Sequence, residues 1–262
     1  MWLNETPPLQ KRDLVLSQPL VNAPGTLGFA PDPHRMPFLP HLGAFFTNPI
    51  SRRPRQPSGN RVYLPFPGGV LLHTGLPNPG LPAALKKYAR RWADSHLPII
   101  VHLMADRPDE TLHMVRSLEG QENIAAVELG FAPLLADDIL LLTIEMCLGE
   151  LPLIASLPPE QVLSLGPRAI REGAAAISLA APRGMLTADD GQLTTGRLSG
   201  PALFPQALLT VRDASRAGIP VIGVGGVGSK ENADAMLSVG ALAVQVDESL
   251  WKGAVSVWAS TE

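Results

Sequence analysis

Short apolar runs alternate with longer amphipathic stretches along the second half of the chain. The runs predict buried strands at 99–103, 125–129, 153–157, 175–179, 220–224 and 243–246. The stretches between them predict helices at 109–118, 159–172, 205–217 and 230–239, several of which open with Pro or acidic residues. Gly173, Gly218 and Gly240 stand where three of these helices would end and the chain would turn into the next strand. Strands and helices that alternate in this way are typical of a parallel sheet.

Two apolar segments near the start, at 20–23 and 44–47, predict further strands and bring the count to eight. Eight strand-helix units in 262 residues match a TIM barrel, for which about 250 residues is typical. We therefore predict an α/β protein with a single (β/α)₈ TIM barrel, one domain spanning residues 1–262. An open, doubly wound sheet is the alternative, but eight units favour closure.

Two segments break the alternation and predict small hairpin insertions. Residues 51–69 are rich in Arg, Pro and Gly and predict an exposed loop that leads into a short hairpin. Residues 185–197 contain Ala-Asp-Asp-Gly-Gln and predict a second hairpin on top of the barrel.

Composition and charge narrow the possible partners. The formal net charge of −3 gives no long-range attraction to nucleic acid or to anionic lipid, so neither is expected to bind. Cys147 is the single cysteine and lies in an apolar run typical of a helix, where we expect a buried small hydrophobe. The first residues lack the basic and apolar regions of a secretory signal, and no uncharged apolar run reaches the roughly 18 residues of a membrane span. We expect a cytoplasmic protein.

The strongest local signal is the segment 220–229, Pro-Val-Ile-Gly-Val-Gly-Gly-Val-Gly-Ser, which is followed by a helix. Backbone N–H groups beside glycines can approach an anion closely, and the positive end of the helix dipole adds attraction. In TIM barrels a phosphate site usually belongs to the loops after strands seven and eight, which here are the loops at Gly225 and Asp247. A small-molecule ligand with a phosphate is therefore expected at this corner. The alternative is a tight glycine turn without a ligand.

Several segments follow one another in a recognisable order along the chain. They are 22–25 (Asn-Ala-Pro-Gly), 43–50, 75–80 (Gly-Leu-Pro-Asn-Pro-Gly), 128–129, 152–157, 198–203, 219–226 and 240–246, and together they cover nearly the whole chain. In this order they resemble the dihydroorotate dehydrogenases and their flavin-barrel relatives. The resemblance implies FMN over the C-terminal mouth of the barrel, with its phosphate on the glycine loops. It implies that the cofactor-binding residues are Ala23, Gly25, Asn48, Ser199, Gly200, Gly225 and Gly226.

The side chains that carry the chemistry of this family are mostly replaced. Asn48 and Ser156 stand where the resemblance implies two flavin-contacting lysines, and Ala181 stands where it implies an asparagine. The fourth strand reads Glu-Leu-Gly-Phe-Ala-Pro at 128–133 instead of continuing to a Cys or Ser base, and none of residues 131–133 can accept a proton. A substrate asparagine falls near Leu72 or His73. Asp247 and Glu248 replace the usual Gly-Thr/Ser after the eighth strand and would repel a phosphate.

Other side chains at the predicted mouth are candidates for the lost chemistry, and none is assigned a catalytic role. They are His102, Asp106, His73, Thr74 and Arg183. His102 alternates with apolar neighbours, which favours a core histidine, and Asp106 is placed as a turn or helix-cap residue. Arg52, Arg53 and Arg55 are typical of a solvated basic loop. No metal site is predicted.

Three functions remain open at this point. The first is a dihydroorotate dehydrogenase-like flavin oxidoreductase that acts on a small carboxylated or pyrimidine-like substrate. The second is a catalytically silent barrel that serves as a binding or assembly subunit. The third is another TIM-barrel enzyme that keeps only the phosphate corner.

The protein partner would be a second copy of this chain or a paralogous subunit. The stretch 250–258 with its two tryptophans would cover the barrel bottom or form an interface.

Overall fold

The computed structural model describes residues 14–59, 62–188 and 190–247. In chain order the strands are β1 (Leu20–Asn22), β2 (Phe45–Phe46), β3 (Val62–Phe66), β4 (Gly69–His73), β5 (Ile99–Ala105), β6 (Ile124–Phe131), β7 (Leu153–Leu157), β8 (Ala176–Leu179), β9 (Arg183–Thr187), β10 (Leu193–Ser199), β11 (Val221–Val224) and β12 (Ala243–Val246). The α-helices are α1 (Leu81–Ala93), α2 (Pro108–Glu119), α3 (Asp137–Met146), α4 (Val162–Arg171), α5 (Phe204–Arg216) and α6 (Lys230–Ser238). Short 3₁₀ helices lie at Leu39–His41, Pro159–Gln161 and Pro201–Leu203.

Eight strands form one parallel sheet that curves into a barrel. Their order around the sheet is β1, β12, β11, β8, β7, β6, β5 and β2, so the first two strands of the chain stand at its two ends. The predicted (β/α)₈ TIM barrel is therefore confirmed. That residues 1–262 form one domain stays a prediction, because the stretch 250–258 and the first 13 residues lie outside the described residues.

The interior of the barrel is built in two layers of opposite character. The lower layer is apolar and consists of Val21, Ala44, Phe46, Ile100, Ala126, Ile154, Ala176, Ile222 and Ala243, all fully buried. Side chains of a strand alternate between its two faces, so the inward position two residues further along each strand forms the next layer. In that layer five strands carry polar residues, namely His102, Glu128, Ser156, Ser178 and Gln245.

A side chain closes the barrel where the backbone ladder stops. Within the described residues no ladder joins β1 to β2. One backbone hydrogen bond connects their N-terminal ends: Gly43 N–H, just before β2, donates to Leu20 O in β1 at 2.7 Å. The amide of Asn22 then replaces a ladder pair: its Nδ2 donates to Phe46 O at 2.7 Å, and Phe46 N–H donates to its Oδ1 at 2.9 Å. Asn22 is fully buried, so these bonds act away from water.

The two predicted hairpins are present, at β3–β4 and β9–β10, and they join into one sheet. Strands β4 and β10 pair antiparallel, with Leu71 opposite Leu198, which gives a four-stranded sheet in the order β3, β4, β10 and β9. We call it the cap sheet. Both hairpins follow the carboxyl ends of barrel strands, so the cap sheet lies at the C-terminal mouth. Leu71 is fully buried on one face, whereas Tyr63, Met185 and Leu193 are exposed on the other.

The helices follow the expected start and stop signals with one difference. Helix α2 begins at Pro108 with Asp109 and Glu110 in its first turn, and Gly173, Gly218 and Gly240 follow α4, α5 and α6 with positive φ. The predicted helix 159–172 is divided into a 3₁₀ turn and α4, because Pro158 and Pro159 tighten its start. Among the helices of the described residues, none is both long enough and apolar enough to cross a bilayer.

We predict that Asn22→Ala lowers the free energy of unfolding by about 2–4 kcal/mol. The change leaves the N–H and C=O groups of Phe46 buried without their partners, and each such group costs about 1–3 kcal/mol. Urea unfolding followed by circular dichroism measures the effect. The exposed Glu122→Ala serves as the control and should stay within about 0.5 kcal/mol of the parent. A loss below about 1 kcal/mol for Asn22→Ala would show that its side chain does not hold the barrel closed.

Candidate functional site at the barrel mouth

A buried carboxylate organises the polar layer of the barrel. The side chain of Glu128 on β6 is 1% exposed. Its Oε1 accepts from Ser178 Oγ on β8 at 2.5 Å and from Gln245 Nε2 on β12 at 3.0 Å. Its Oε2 lies 2.6 Å from His102 Nδ1 on β5, a distance typical of a charge-assisted hydrogen bond. One carboxylate thus connects four strands of the barrel.

This carboxylate fixes the orientation of His102. With both donors on Oε1, the remaining oxygen of Glu128 is paired with Nδ1 of the imidazole, and Nε2 is the ring nitrogen on the far side from the carboxylate. The backbone is held as well, because His102 N–H donates to Thr47 Oγ1 at 3.1 Å. No described residue forms a hydrogen bond with His102 Nε2, and 12% of the side chain is exposed.

The imidazole occupies space that Gly130 leaves free. A Cβ added to Gly130 would overlap His102 Nε2 and would lie 2.7 Å from Cε1. Gly130 is the residue that follows Glu128-Leu129, and its missing side chain allows His102 to extend over the strand. Glycine is required here for space and not for backbone conformation.

The glycine loop of the predicted phosphate corner packs closely against the start of α5, and phosphate binding there stays a prediction. Gly226 has φ +68°, and a Cβ on it would lie 2.7 Å from Phe204 N and 2.8 Å from Gly200 O. A Cβ on Gly225 would lie 3.2 Å from Ala207 Cβ. The two glycines therefore bring the loop after β11 into close contact with the start of α5, and their positive φ angles also favour glycine.

A carboxylate stands in the same corner. Ser199 Oγ donates to Asp247 Oδ2 at 3.0 Å, and Asp247 lines a cavity together with Gly225. The volume of this cavity is about 30 Å³, room for about two waters. Its wall is largely apolar and consists of Pro159, Ala180, Ala181, Pro182, Leu198, Leu203, Gln206, Ala207 and Val224 besides these two residues. Glu248 lies outside the described residues.

The other three predicted cofactor contacts lie where β1 and β2 end. Ala23 N–H donates to Val246 O at 2.8 Å and so continues the pairing of β1 with β12. Gly25 has φ +89° and lies beside Pro49. Asn48 is bound to Gly28 twice: its N–H donates to Gly28 O at 2.7 Å, and Gly28 N–H donates to its Oδ1 at 3.0 Å. Cofactor contact by these residues stays a prediction.

The remaining candidates are engaged elsewhere or exposed. His73 Nε2 lies 3.0 Å from Ser58 Oγ, and Thr74 Oγ1 accepts from Leu76 N–H. Asp106 is exposed after β5. Ser156, at the position of an expected lysine, is 8% exposed in the polar layer.

Two arginines of the cap sheet face each other. Arg183 on β9 is directly opposite Arg197 on β10, and among the described residues neither forms an ion pair. Burial and, to a smaller extent, the charge of Arg183 lower the pKa of Arg197. Neighbouring Gly184 faces Leu198, which lines the cavity, so Arg183 lies on the opposite face of its strand.

Sequence reasoning missed Ser178, Gln245 and the role of Glu128 as their common acceptor. The signal was available, because a single polar residue interrupts each of the apolar strands Ala-Ile-Ser-Leu and Ala-Val-Gln-Val. Nowhere in residues 14–59, 62–188 and 190–247 do three His, Cys, Asp or Glu side chains form a metal-ligand cluster.

An eight-stranded parallel barrel with a polar cluster at the carboxyl ends of its strands defines a TIM-barrel protein whose site lies at the usual end. A family model described as dihydroorotate dehydrogenase matches residues 180–260. The catalytic subunit of dihydroorotate dehydrogenase B (NAD(+)) from Pelobacter propionicus is 30% identical over 254 residues, covering 89% of this chain and 84% of that protein. The same subunit from Pyrococcus furiosus is 28% identical over 269 residues, covering 94% of this chain and 87% of that protein. The chain belongs to the dihydroorotate dehydrogenase family, as its sequence segments indicate.

Cys147 is not a candidate nucleophile. It is fully buried after α3, and burial raises the pKa of its thiol to about 12. The thiolate is the reactive form of cysteine, so the thiol stays neutral and inert below that pH.

We predict that Ellman's reagent does not react with the native protein at about pH 8. In concentrated guanidinium chloride one thiol per chain should react, since unfolding removes the burial that raises the pKa. Rapid reaction in the native state would show that Cys147 is accessible.

We predict that Gly130→Ala lowers the free energy of unfolding by about 1–3 kcal/mol, because the new methyl group overlaps the imidazole of His102. In a His102→Ala background the same change should cost less than about 0.5 kcal/mol, which a double-mutant cycle by urea unfolding measures. Gly120→Ala is the matched control, because no atom lies within 4 Å of its added Cβ and its φ is −90°. It should have equal effects in both backgrounds. Equal effects of Gly130→Ala in both backgrounds would disprove the contact.

Proposed function

We propose that this chain, as a single domain spanning residues 1–262, is a dihydroorotate dehydrogenase-family barrel that serves as a binding or assembly subunit without a resident FMN. The observation that supports this most directly is the Asp247 carboxylate in the phosphate corner, held by Ser199 beside Gly225. The proposed ligand is a small molecule at the barrel mouth. The proposed partner is a second copy or a paralogous subunit. The name "catalytic subunit" of the relatives is consistent with a multi-subunit assembly.

The charge of Asp247 in the corner opposes the phosphate of FMN. A phosphate about 5 Å from a carboxylate is repelled by about 3 kcal/mol per pair of unit charges at an effective dielectric of 20. That is a loss of about a hundredfold in affinity. Asn48 and Ser156 also provide no positive charge for a flavin.

The second candidate is a flavin oxidoreductase that acts on a small carboxylated or pyrimidine-like substrate such as dihydroorotate. It is favoured by the similarity to catalytic subunits along 89% of the chain. In this case FMN would contact Ala23, Gly25, Asn48, Ser199, Gly200, Gly225 and Gly226, and the corner would have to rearrange around Asp247. A cytoplasmic location stays a prediction for both candidates.

The visible spectrum of the purified protein separates the two candidates. We expect a colourless protein that takes up no FMN when the cofactor is added and then removed by gel filtration. A flavin spectrum near one equivalent per chain would contradict the proposal and support the oxidoreductase.

We predict that Asp247→Asn raises the affinity for FMN by about ten- to a hundredfold, measured by quenching of flavin fluorescence. The amide keeps an oxygen that can accept from Ser199 and removes the charge that repels phosphate. Asp190→Asn makes the same change of net charge in an exposed turn and should leave the affinity unchanged. An Asp247→Asn protein that binds FMN no better than the parent would show that the carboxylate is not the obstacle.

A further inference from the structure

We propose that Arg183 and Arg197 form a binding site for a doubly charged oxyanion, the phosphate group of a small phosphate monoester. The two side chains project from one face of the cap sheet, next to the barrel mouth. The inference rests on the proposed function for its biological role, because it names the class of small molecule that the mouth would bind. The site itself depends only on these two arginines and their surroundings.

The two arginines occupy the closest cross-strand arrangement of an antiparallel sheet. Arg183 on β9 is directly opposite Arg197 on β10. The adjacent residues form the ladder bond, since Leu198 N–H donates to Pro182 O at 2.8 Å. The arginines are therefore a non-hydrogen-bonded pair, in which the two Cα atoms are about 4.5 Å apart and the side chains leave the sheet on the same face. Both guanidinium groups can thus contact one ligand.

The positive charges of this pair are not compensated within the described residues. Neither guanidinium has a hydrogen-bond or ion-pair partner there. Arg183 is exposed, whereas Arg197 is half-buried, so its charge is partly withdrawn from water. A lysine in that position could lose its proton, but an arginine stays charged in proteins. Like charges directly opposite each other destabilise a sheet, and an anion bound between them would remove the repulsion.

The pair lies at the end of the hairpin that adjoins the barrel. Arg183 follows Leu179, the last residue of β8, by four positions. Arg197 precedes Ser199 by two positions and so shares its face of β10. The hydroxyl of Ser199 in turn donates to Asp247, directly after β12. A ligand held by the two arginines would therefore border the mouth of the barrel.

Charge and hydrogen-bonding capacity favour a phosphate monoester over a single carboxylate. Each guanidinium presents a fork of N–H donors and no acceptor, so two of them offer more donors than the oxygens of one carboxylate can accept. A phosphate monoester carries about −1.5 to −2 charges at pH 7 and has a further terminal oxygen. Leu72 on β4 is directly opposite Arg197, and Met185 follows Arg183 on the same face of β9, so apolar contacts are available to the organic part of the ligand.

Isothermal titration calorimetry with phenyl phosphate tests the site in the full-length protein. This probe combines a doubly charged phosphate with an apolar ring. We expect one binding event per chain, and benzoate, which has a single charge, should bind at least about tenfold more weakly. No binding of phenyl phosphate at millimolar concentrations would overturn the proposal. Equal binding of benzoate would overturn the choice of a doubly charged anion.

Variants of the two arginines locate the binding site. Arg183→Gln and Arg197→Gln should each weaken the binding of phenyl phosphate at least about tenfold. Arg197→Lys keeps the charge but loses the planar fork, so its affinity should lie between those of the parent and Arg197→Gln. Arg171→Gln is the matched control, because it removes an exposed arginine at the end of α4, on the opposite side of the barrel from the mouth. It should stay within about twofold of the parent, and equal weakening by this control would overturn the site.

Thermal unfolding gives a second measurement, which the exposed Arg183 allows without disturbing the half-buried residue. In sodium chloride alone, Arg183→Gln should unfold at a higher temperature than the parent, because the repulsion is removed. Phenyl phosphate at the same ionic strength should raise the unfolding temperature of the parent and not that of Arg183→Gln. An equal rise in both proteins would overturn the site.

This proposal and the proposed function fail in different experiments. A flavin spectrum in the purified protein contradicts the proposed function and leaves the arginine site to be judged by the variants. A colourless protein that does not bind phenyl phosphate contradicts the arginine site alone.

Discussion

The structure of the barrel mouth depends on one buried carboxylate. Glu128 cannot reach water, so its charge is compensated by hydrogen bonds that come from β5, β8 and β12. Such a group constrains its surroundings because removal of any partner leaves an uncompensated charge, at a cost of several kcal/mol. The residues of the polar layer that bind Glu128 are therefore required together. Above the apolar floor of Val21, Phe46 and their neighbours, the strands can be paired in one register that brings these partners together.

The phosphate corner predicted from the sequence contains a carboxylate and an apolar wall. Leu198 of the cap sheet lines the cavity from above, and Asp247 enters it beside the glycine loop. Both residues lie in the corner where the resemblance implies the phosphate of a flavin. Gly130 and His102 are also matched in size, because the imidazole occupies the space that a side chain on Gly130 would fill.

The fold could be predicted from the sequence because its signals are local. Apolar runs bounded by glycine and by amphipathic stretches define the eight strands, and β7 and β12 have the predicted bounds. Both hairpins were predicted, but their union through β4 and β10 was not, because no local pattern indicates which edges of distant hairpins meet. Asn22 was recognised only as part of a segment. Its bonds to Phe46 depend on the curvature of the whole sheet.

The site was harder to predict than the fold for a related reason. Alternation placed His102 either inside the barrel or against a helix, and only the register of β5 against β6 puts its ring beside Glu128. For Asn48 the sequence indicated a position near the ligand, whereas its backbone and side chain are both bound to Gly28. A side chain that is hydrogen-bonded within its own loop region gives little information about a ligand. The sequence alone does not show that Gly28 is the partner of Asn48.

The pairing of β4 with β10 also determines the order in which the molecule can be completed. Leu71 meets Leu198, so the cap sheet joins segments from the first and last thirds of the chain. Contacts between such distant segments form late, because loop closure must precede them. During synthesis the polar layer is therefore without its cover until β10 and then β12 have left the ribosome. Gln245 is the last of the partners of Glu128 to be synthesised, so the buried carboxylate cannot have all its hydrogen bonds before β12 is made.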